Sequence, residues 1–123
     1  MRVLVADDHS LVREAIKPWL EALAPVVDVL EAGSLAEVLA YVSTPPPPEL
    51  ILLDLHMPGM NGTASIGTVR GAFPGAAVVI VSGAADSGTI TSALNAGARG
   101  YVPKTSRGRS LVNALRMVLR SEE

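Results

Sequence analysis

The chain has 123 residues, enough for one domain that buries roughly two thirds of its unfolded surface without disulfide or metal staples. It holds no cysteine, which excludes a disulfide framework, a cysteine-based zinc site and thiol catalysis. Ten basic against twelve acidic residues give a formal charge of -2, too weak a field to draw in nucleic acid, and no apolar run approaches a membrane span or a signal peptide.

The first expected strand, Val3 to Ala6, ends in the acidic pair Asp7 and Asp8. Helical spacing follows at Leu11, Val12, Ala15, Ile16, Trp19, Leu20 and Leu23, with Pro18 inside the pattern, so a bend is expected near Ile16 to Trp19. A second strand is expected over Val26 to Leu30. Ser34 and Glu37 then have capping-box spacing and open a second helix carrying Leu35, Val38, Leu39 and Val42. The tetrad Pro45 to Pro48 fits neither helix nor ladder and predicts a stiff, extended connector.

The third strand, Leu50 to Leu53, is apolar throughout and runs straight into Asp54 and a turn at Pro58-Gly59. A third helix over Ala64 to Ala72 is weak by propensity because Gly67 and Gly71 lie within it. The fourth strand, Ala77 to Val81, is followed by Ser82. A fourth helix, Ile90 to Ala96, stops at Gly97. The fifth strand, Gly100 to Val102, leads to Pro103 and Lys104, and the last helix spans Leu111 to Leu119. The closing "RSEE" reads as the start of a linker.

Strand and helix alternate five times, which predicts a doubly wound α/β domain: parallel strands need crossovers, and right-handed crossovers place helices on both faces. Asp7, Asp8, Asp54, Ser82 and Lys104 each follow the carboxyl end of a strand, so such a sheet brings all of them to one edge, where these folds place their ligand sites. Carboxylates gathered there repel by about 4 kcal/mol per pair at 4 Å and an effective dielectric of 20. Mg²⁺ suits a few hard oxygen ligands of this kind and accepts a phosphate oxygen as another. Lys104 adds a positive charge, Ser82 a hydroxyl donor, and Asp54 remains as the nucleophile toward a phosphoryl group. His9 and His56, on loops beside these carboxylates, read as solvated loop residues rather than transition-metal ligands.

The stretches "ADDHSLVREAI", "LLDLHMPGMNG" and "AGARGYVPKTS" together resemble the receiver domain of response regulators, in the NarL/FixJ-like branch whose members carry a C-terminal LuxR-type helix-turn-helix. The resemblance covers the whole chain. It implies a (βα)5 flavodoxin-like fold with strand order 2-1-3-4-5, with residues 1–123 forming the receiver and any output domain outside them. It also implies Asp54 as the phosphoacceptor and Asp7, Asp8, Asp54 and the backbone carbonyl of His56 around Mg²⁺. Ser82 and Lys104 would engage the acyl phosphate, and Ser82 and Tyr101 would form the switch.

The implied function is a cytoplasmic two-component switch phosphorylated by a sensor histidine kinase. It would regulate transcription through an attached domain, with DNA contacted only there and no membrane partner. It would be no enzyme beyond its own phosphorylation and dephosphorylation. A homodimer through the fourth helix, fifth strand and fifth helix, or through the first and fifth helices, is compatible with the resemblance. His56 and Ala84 match positions that tune phosphoryl lifetime. The isomers of the peptide bonds around Pro103-Lys104-Thr105 are left open, because many relatives place a proline after the lysine. Two rivals stand beside this reading. One is an interaction domain working without phosphate, and the other is an aspartyl-phosphate phosphohydrolase, which would want a second acid where His56 stands.

Overall fold

The computed structural model describes residues 1–83, 87–106 and 108–121. Strand β1 (Arg2–Ala6) leads into helix α1 (Ser10–Leu20), and β2 (Asp28–Ala32) into α2 (Leu35–Ala40) with a 3-10 turn at Tyr41–Ser43. After β3 (Leu50–Leu53) come α3 (Ala64–Ala72), β4 (Ala77–Ser82), α4 (Ser87–Asn95), β5 (Gly100–Pro103) and α5 (Gly108–Ser121). The strands form one parallel sheet in the order β2-β1-β3-β4-β5, the doubly wound topology expected from the alternation.

The apolar runs are continuous because each central strand feeds two cores, alternate residues pointing to opposite faces. Leu4, Ala6, Ile51, Leu53, Val78 and Ile80 pack on the side of α2, α3 and α4, against Val38, Ile66, Val69 and Ala93. Val3, Val5, Leu50, Leu52, Val79 and Val81 pack on the side of α1 and α5, against Ile16, Leu20, Leu111 and Leu115. Every residue of β3 and β4 is buried. At about 25 cal/mol per Å² of apolar surface, burying one such Leu or Ile side chain contributes about 2 kcal/mol, and this repeated term holds the sheet between its helices.

Several boundaries depart from the sequence expectation. The second strand lies two residues later than the apolar run Val26 to Leu30, because pairing with β1 begins at Asp28, opposite Arg2, while Val26 is left 76% exposed. Being an edge strand, β2 needs no unbroken apolar run and carries Asp28 and Glu31 on its flank. Helix α1 runs through Pro18 and ends at Leu20, three residues short of Leu23. Pro18 lacks an N–H and crowds the carbonyl of Glu14 four residues back, so the helix forgoes one of its backbone hydrogen bonds there. The proline connector bends at residues 44–46 instead of running extended.

The capping box forms differently as well. Ser34 Oγ accepts from the Glu37 N–H at 3.2 Å, but the Glu37 carboxylate accepts from the Gly33 N–H at 3.0 Å rather than from Ser34. Gly97 behaves as expected: with φ of +106° it closes α4 in a Schellman motif, Ala98 N–H reaching Ala93 and Gly97 N–H reaching Leu94. Helix α5 continues through Arg120 to Ser121, past the expected end at Leu119, while Glu122 and Glu123 lie outside the described residues.

Candidate functional site

Strand register decides which side chains meet at the carboxyl edge. Ala6 of β1 stands opposite Leu53 of β3, so the next residues, Asp7 and Asp54, emerge side by side. The backbone continues the ladder one step past each strand: Asp54 N–H donates to the Ala6 carbonyl and Asp7 N–H to the Ala32 carbonyl, both at 2.9 Å. Ser82 pairs in register with Pro103, and Lys104 N–H donates to the Ser82 carbonyl at 2.9 Å. Asp7, Asp54 and Ser82 are 1–2% exposed, so these polar groups lie under the rim of the sheet.

The two buried carboxylates share one cation. Lys104 Nζ lies 3.0 Å from Asp7 Oδ2 and 3.0 Å from Asp54 Oδ2. Burial pulls the Lys104 ammonium toward neutrality, but hydrogen bonds and charges from Asp54 and Asp7 outweigh it and hold its pKa above the ordinary value of 10.5. The other carboxylate oxygens are fixed by backbone donors: Asp7 Oδ1 accepts from His9 N–H at 2.8 Å, and Asp54 Oδ1 from His56 N–H at 3.0 Å. Each acid therefore arrives with both oxygens aimed, one by a turn and one by the lysine.

Asp8 is the more open member of the group, its side chain 34% exposed. The ring of His9 sits against the acidic pair, Nδ1 being 3.1 Å from both Asp7 Oδ1 and Asp8 Oδ1. The reading of His9 as a plain solvated loop residue is thus incomplete: the ring is 64% exposed yet bridges two carboxylates. Its neighbours explain the placement, since His9 is the N-cap of α1 and its side chain makes no cap hydrogen bond. His56, by contrast, is exposed as expected, and lines an open groove with Thr63, Gly88 and Ser92.

One atom each from Asp7, Asp8, His9 and Asp54 falls within a sphere of mutual distances no greater than 4.8 Å. Three carboxylates offering hard oxygens this close, two of them buried, fit Mg²⁺. Tyr101, half-buried on β5, packs toward the α2–α4 core, whereas its neighbour Val102 belongs to the α1–α5 core. The peptide bonds Val102–Pro103 and Lys104–Thr105 are trans. Ala84 lies outside the described residues.

Arg13 was not singled out by the sequence, where it reads as one more polar residue on the solvated side of a helix. Here its Nη1 donates a hydrogen bond to the Asp7 carbonyl, and its Nε donates to Glu31 Oε1 at 2.9 Å. No spacing rule points to it, because the contact depends on β2 lying beside β1.

Comparison with known proteins points to one family. Residues 3–116 match the family model for the response regulator receiver domain. The chain is 36% identical over 118 residues to the glycerol metabolism activator of Pseudomonas putida, covering 96% of this chain and 53% of that protein. It is 32% identical over 120 residues to the nitrate/nitrite response regulator protein NarL of Escherichia coli K12, covering 98% and 55%. The chain thus spans about half the length of these curated relatives. Among solved structures, a LuxR family DNA-binding response regulator from Silicibacter pomeroyi superposes with a TM-score of 0.84 at 30% identity, covering 98% of this chain and 93% of the other. A CheY-like response regulator receiver domain protein from Methanospirillum hungatei also reaches 0.84, at 28% identity, with coverages of 98% and 94%.

Proposed function

This chain belongs to the response regulator receiver family, and on that premise we propose that it is a phosphorylation switch with Asp54 as its phosphoacceptor. The observation that carries the reading is the environment of Asp54. It is a 1% exposed carboxylate at the mouth of the sheet, with Oδ1 on the His56 N–H and Oδ2 on Lys104, and with Asp7 on the same ammonium. A carboxylate held this way is aimed and desolvated, and needs no general base to act as a nucleophile.

In the proposed reaction an Asp54 oxygen bonds to the phosphorus of a donor, the phosphohistidine of a sensor histidine kinase or a small acyl phosphate. The donor's own bond to phosphorus breaks as this one forms, and the donor leaves with the electron pair. Asp7, Asp8, Asp54 and the His56 carbonyl would hold Mg²⁺, which when bound supplies positive charge to the transferring oxygens. Lys104 leaves its shared position to pair with the phosphoryl group, and the Ser82 hydroxyl donates to one of its oxygens.

Withdrawing Ser82 and Lys104 toward the phosphoryl group changes the edge formed by β4 and β5, and Tyr101 carries that change toward α4. The readout is self-association, through α4, β5 and α5 or through α1 and α5, or release of an attached output domain. Residues 1–123 act as the receiver in this reading, DNA is met only through such an output domain, and the setting is cytoplasmic. That the Silicibacter pomeroyi relative is a LuxR family DNA-binding response regulator, and the Escherichia coli relative a nitrate/nitrite response regulator, supports it. Among the described residues no helix is long and apolar enough to cross a membrane.

Intact mass after incubation with acetyl phosphate and Mg²⁺ tests the proposal. The expected result is a metal-dependent gain of about 80 Da, one phosphoryl group, absent in Asp54→Asn. No gain in the wild type with any donor would leave the phosphate-independent interaction domain standing, and multiple turnover of a phosphate ester would favour the phosphohydrolase.

A further inference from the structure

The backbone of Asp7 is held on both sides, and the peptide that joins it to Asp8 is held through its carbonyl. Its carbonyl, on Asp7, accepts a hydrogen bond from Arg13 Nη1, while the Asp7 N–H on the preceding peptide donates to the Ala32 carbonyl of β2 at 2.9 Å. Arg13 is in turn held by Glu31, its Nε lying 2.9 Å from Oε1. Glu31 is itself anchored: it stands in register with Val5 of β1, and its carbonyl accepts from the Tyr41 hydroxyl at 2.8 Å. The Arg13 side chain is only 19% exposed, which for so hydrophilic a group implies a fixed pose.

We propose that Arg13 is a positioning residue for cation binding: its fork locks the Asp7–Asp8 peptide plane so that both carboxylates face one ligand. Asp7 is fixed by its own contacts with His9 and Lys104, but Asp8 is more exposed, and the backbone path leading to it is set by the carbonyl that Arg13 holds. The inference rests on the reading of Asp7 and Asp8 as cation ligands. Charge alone would predict the opposite behaviour. A guanidinium bonded to the Asp7 carbonyl opposes a cation, so deleting it should tighten cation binding if its only effect were electrostatic, whereas loss of alignment weakens it.

The probe is Mn²⁺, with the free ion followed by electron paramagnetic resonance and Mg²⁺ as competitor, on the full chain and its variants. Arg13→Ala is expected to weaken Mn²⁺ binding by about 10- to 100-fold, the usual loss when an outer-shell partner is removed. Arg13→Lys keeps the charge but has one ammonium where two separate acceptors must be met, and is expected to weaken binding in the same direction. Phosphoryl uptake from acetyl phosphate should slow in both variants at low Mg²⁺ and recover at saturating Mg²⁺, a split that general loss of structure does not produce. Unchanged affinity in Arg13→Lys, or tighter binding in Arg13→Ala, overturns the proposal. If Arg13→Ala fails to fold by circular dichroism, Arg13→Lys decides. A wild-type chain that binds neither metal overturns the underlying site reading together with this one, whereas normal wild-type binding with wild-type-like variants overturns the role of Arg13 alone.

Discussion

Replacing Lys104 with methionine isolates what the ammonium does for the fold. Both Asp7 Oδ2 and Asp54 Oδ2 lie 3.0 Å from Nζ, so these two oxygens are at most 6.0 Å apart, twice that distance. At 6 Å and an effective dielectric of 20, two unit charges repel by about 3 kcal/mol. In the wild type this is offset by two attractions to Lys104, each about 5.5 kcal/mol on the same scale before desolvation is counted. Lys104→Met removes both attractions and leaves two buried carboxylates facing each other, the situation in which breaking a buried pair costs about 3–5 kcal/mol. With a urea slope of about 2 kcal/mol per molar, the unfolding midpoint should fall by about 2 M in the absence of divalent metal.

Mg²⁺ should restore part of the loss in Lys104→Met. A ligand at 100 times its dissociation constant adds about 2.7 kcal/mol, and the variant, having lost its own cation, should gain more from the metal than the wild type. Urea unfolding followed by far-ultraviolet circular dichroism, with and without Mg²⁺, reads both effects. A variant within about 0.5 kcal/mol of the wild type, the range of an ordinary surface change, would refute the shared-cation account. Equal gains from Mg²⁺ in the two proteins would refute the idea that metal and ammonium offset the same charge.

The pH dependence has a definite sign. The folded-state pKa of Lys104 is raised above 10.5, so the stability its charge contributes is fully present below that value and is lost as pH rises through the folded pKa. The gap between wild type and Lys104→Met should therefore be constant through neutral pH and close in strongly alkaline solution; a gap that closes already near pH 8 would contradict the sign. One substitution, glycine to alanine, should act in opposite directions at two places. At exposed Gly67 in α3 nothing lies within 4 Å of an added Cβ, and stability should rise by about 0.5–1 kcal/mol. At Gly97, with φ of +106°, the Cβ would be strained and would meet the Arg70 guanidinium, and stability should drop by about 1–2 kcal/mol, both read as shifts in thermal midpoint.

What could be read from the sequence, and what could not, follows from how far apart the interacting residues lie. Strands β3 and β4 were legible because an unbroken apolar run is the local mark of a strand buried on both faces. Gly97 was legible because a helix stop is decided within a few residues. Placing Asp7, Asp54, Ser82 and Lys104 on one edge needed only the inference that the sheet is parallel. The second strand was misplaced by two residues since its partner across the ladder, not its own hydropathy, decides where an edge strand begins. Arg13 goes unremarked in the sequence, and His9 reads there as solvated, for a related reason: a polar residue at the start of a helix looks the same in sequence whether it faces water or polar groups at the end of a strand. Pro18 sits inside the expected helix, which ends two residues later at Leu20.

The one-step relation between strand ends and site residues also governs where this chain can change in length. Asp7 and Asp54 come directly after Ala6 and Leu53, which are paired in register, and Lys104 comes directly after Pro103, paired with Ser82. A one-residue insertion or deletion inside β1, β3 or β5 would swap the two faces of the strand and move its site residue off the edge at the same time. Loops at the amino ends of the strands have no such constraint. Pro48 is buried there and Glu49 already bonds to Arg2 and Ala77, but the exposed Pro45, Pro46 and Pro47 of the connector lie at that opposite edge. Extra residues there alter only a loop-closure entropy that grows slowly with length, so segments of foreign sequence or spectroscopic tags can be spliced into that end while the carboxylate cluster keeps its geometry.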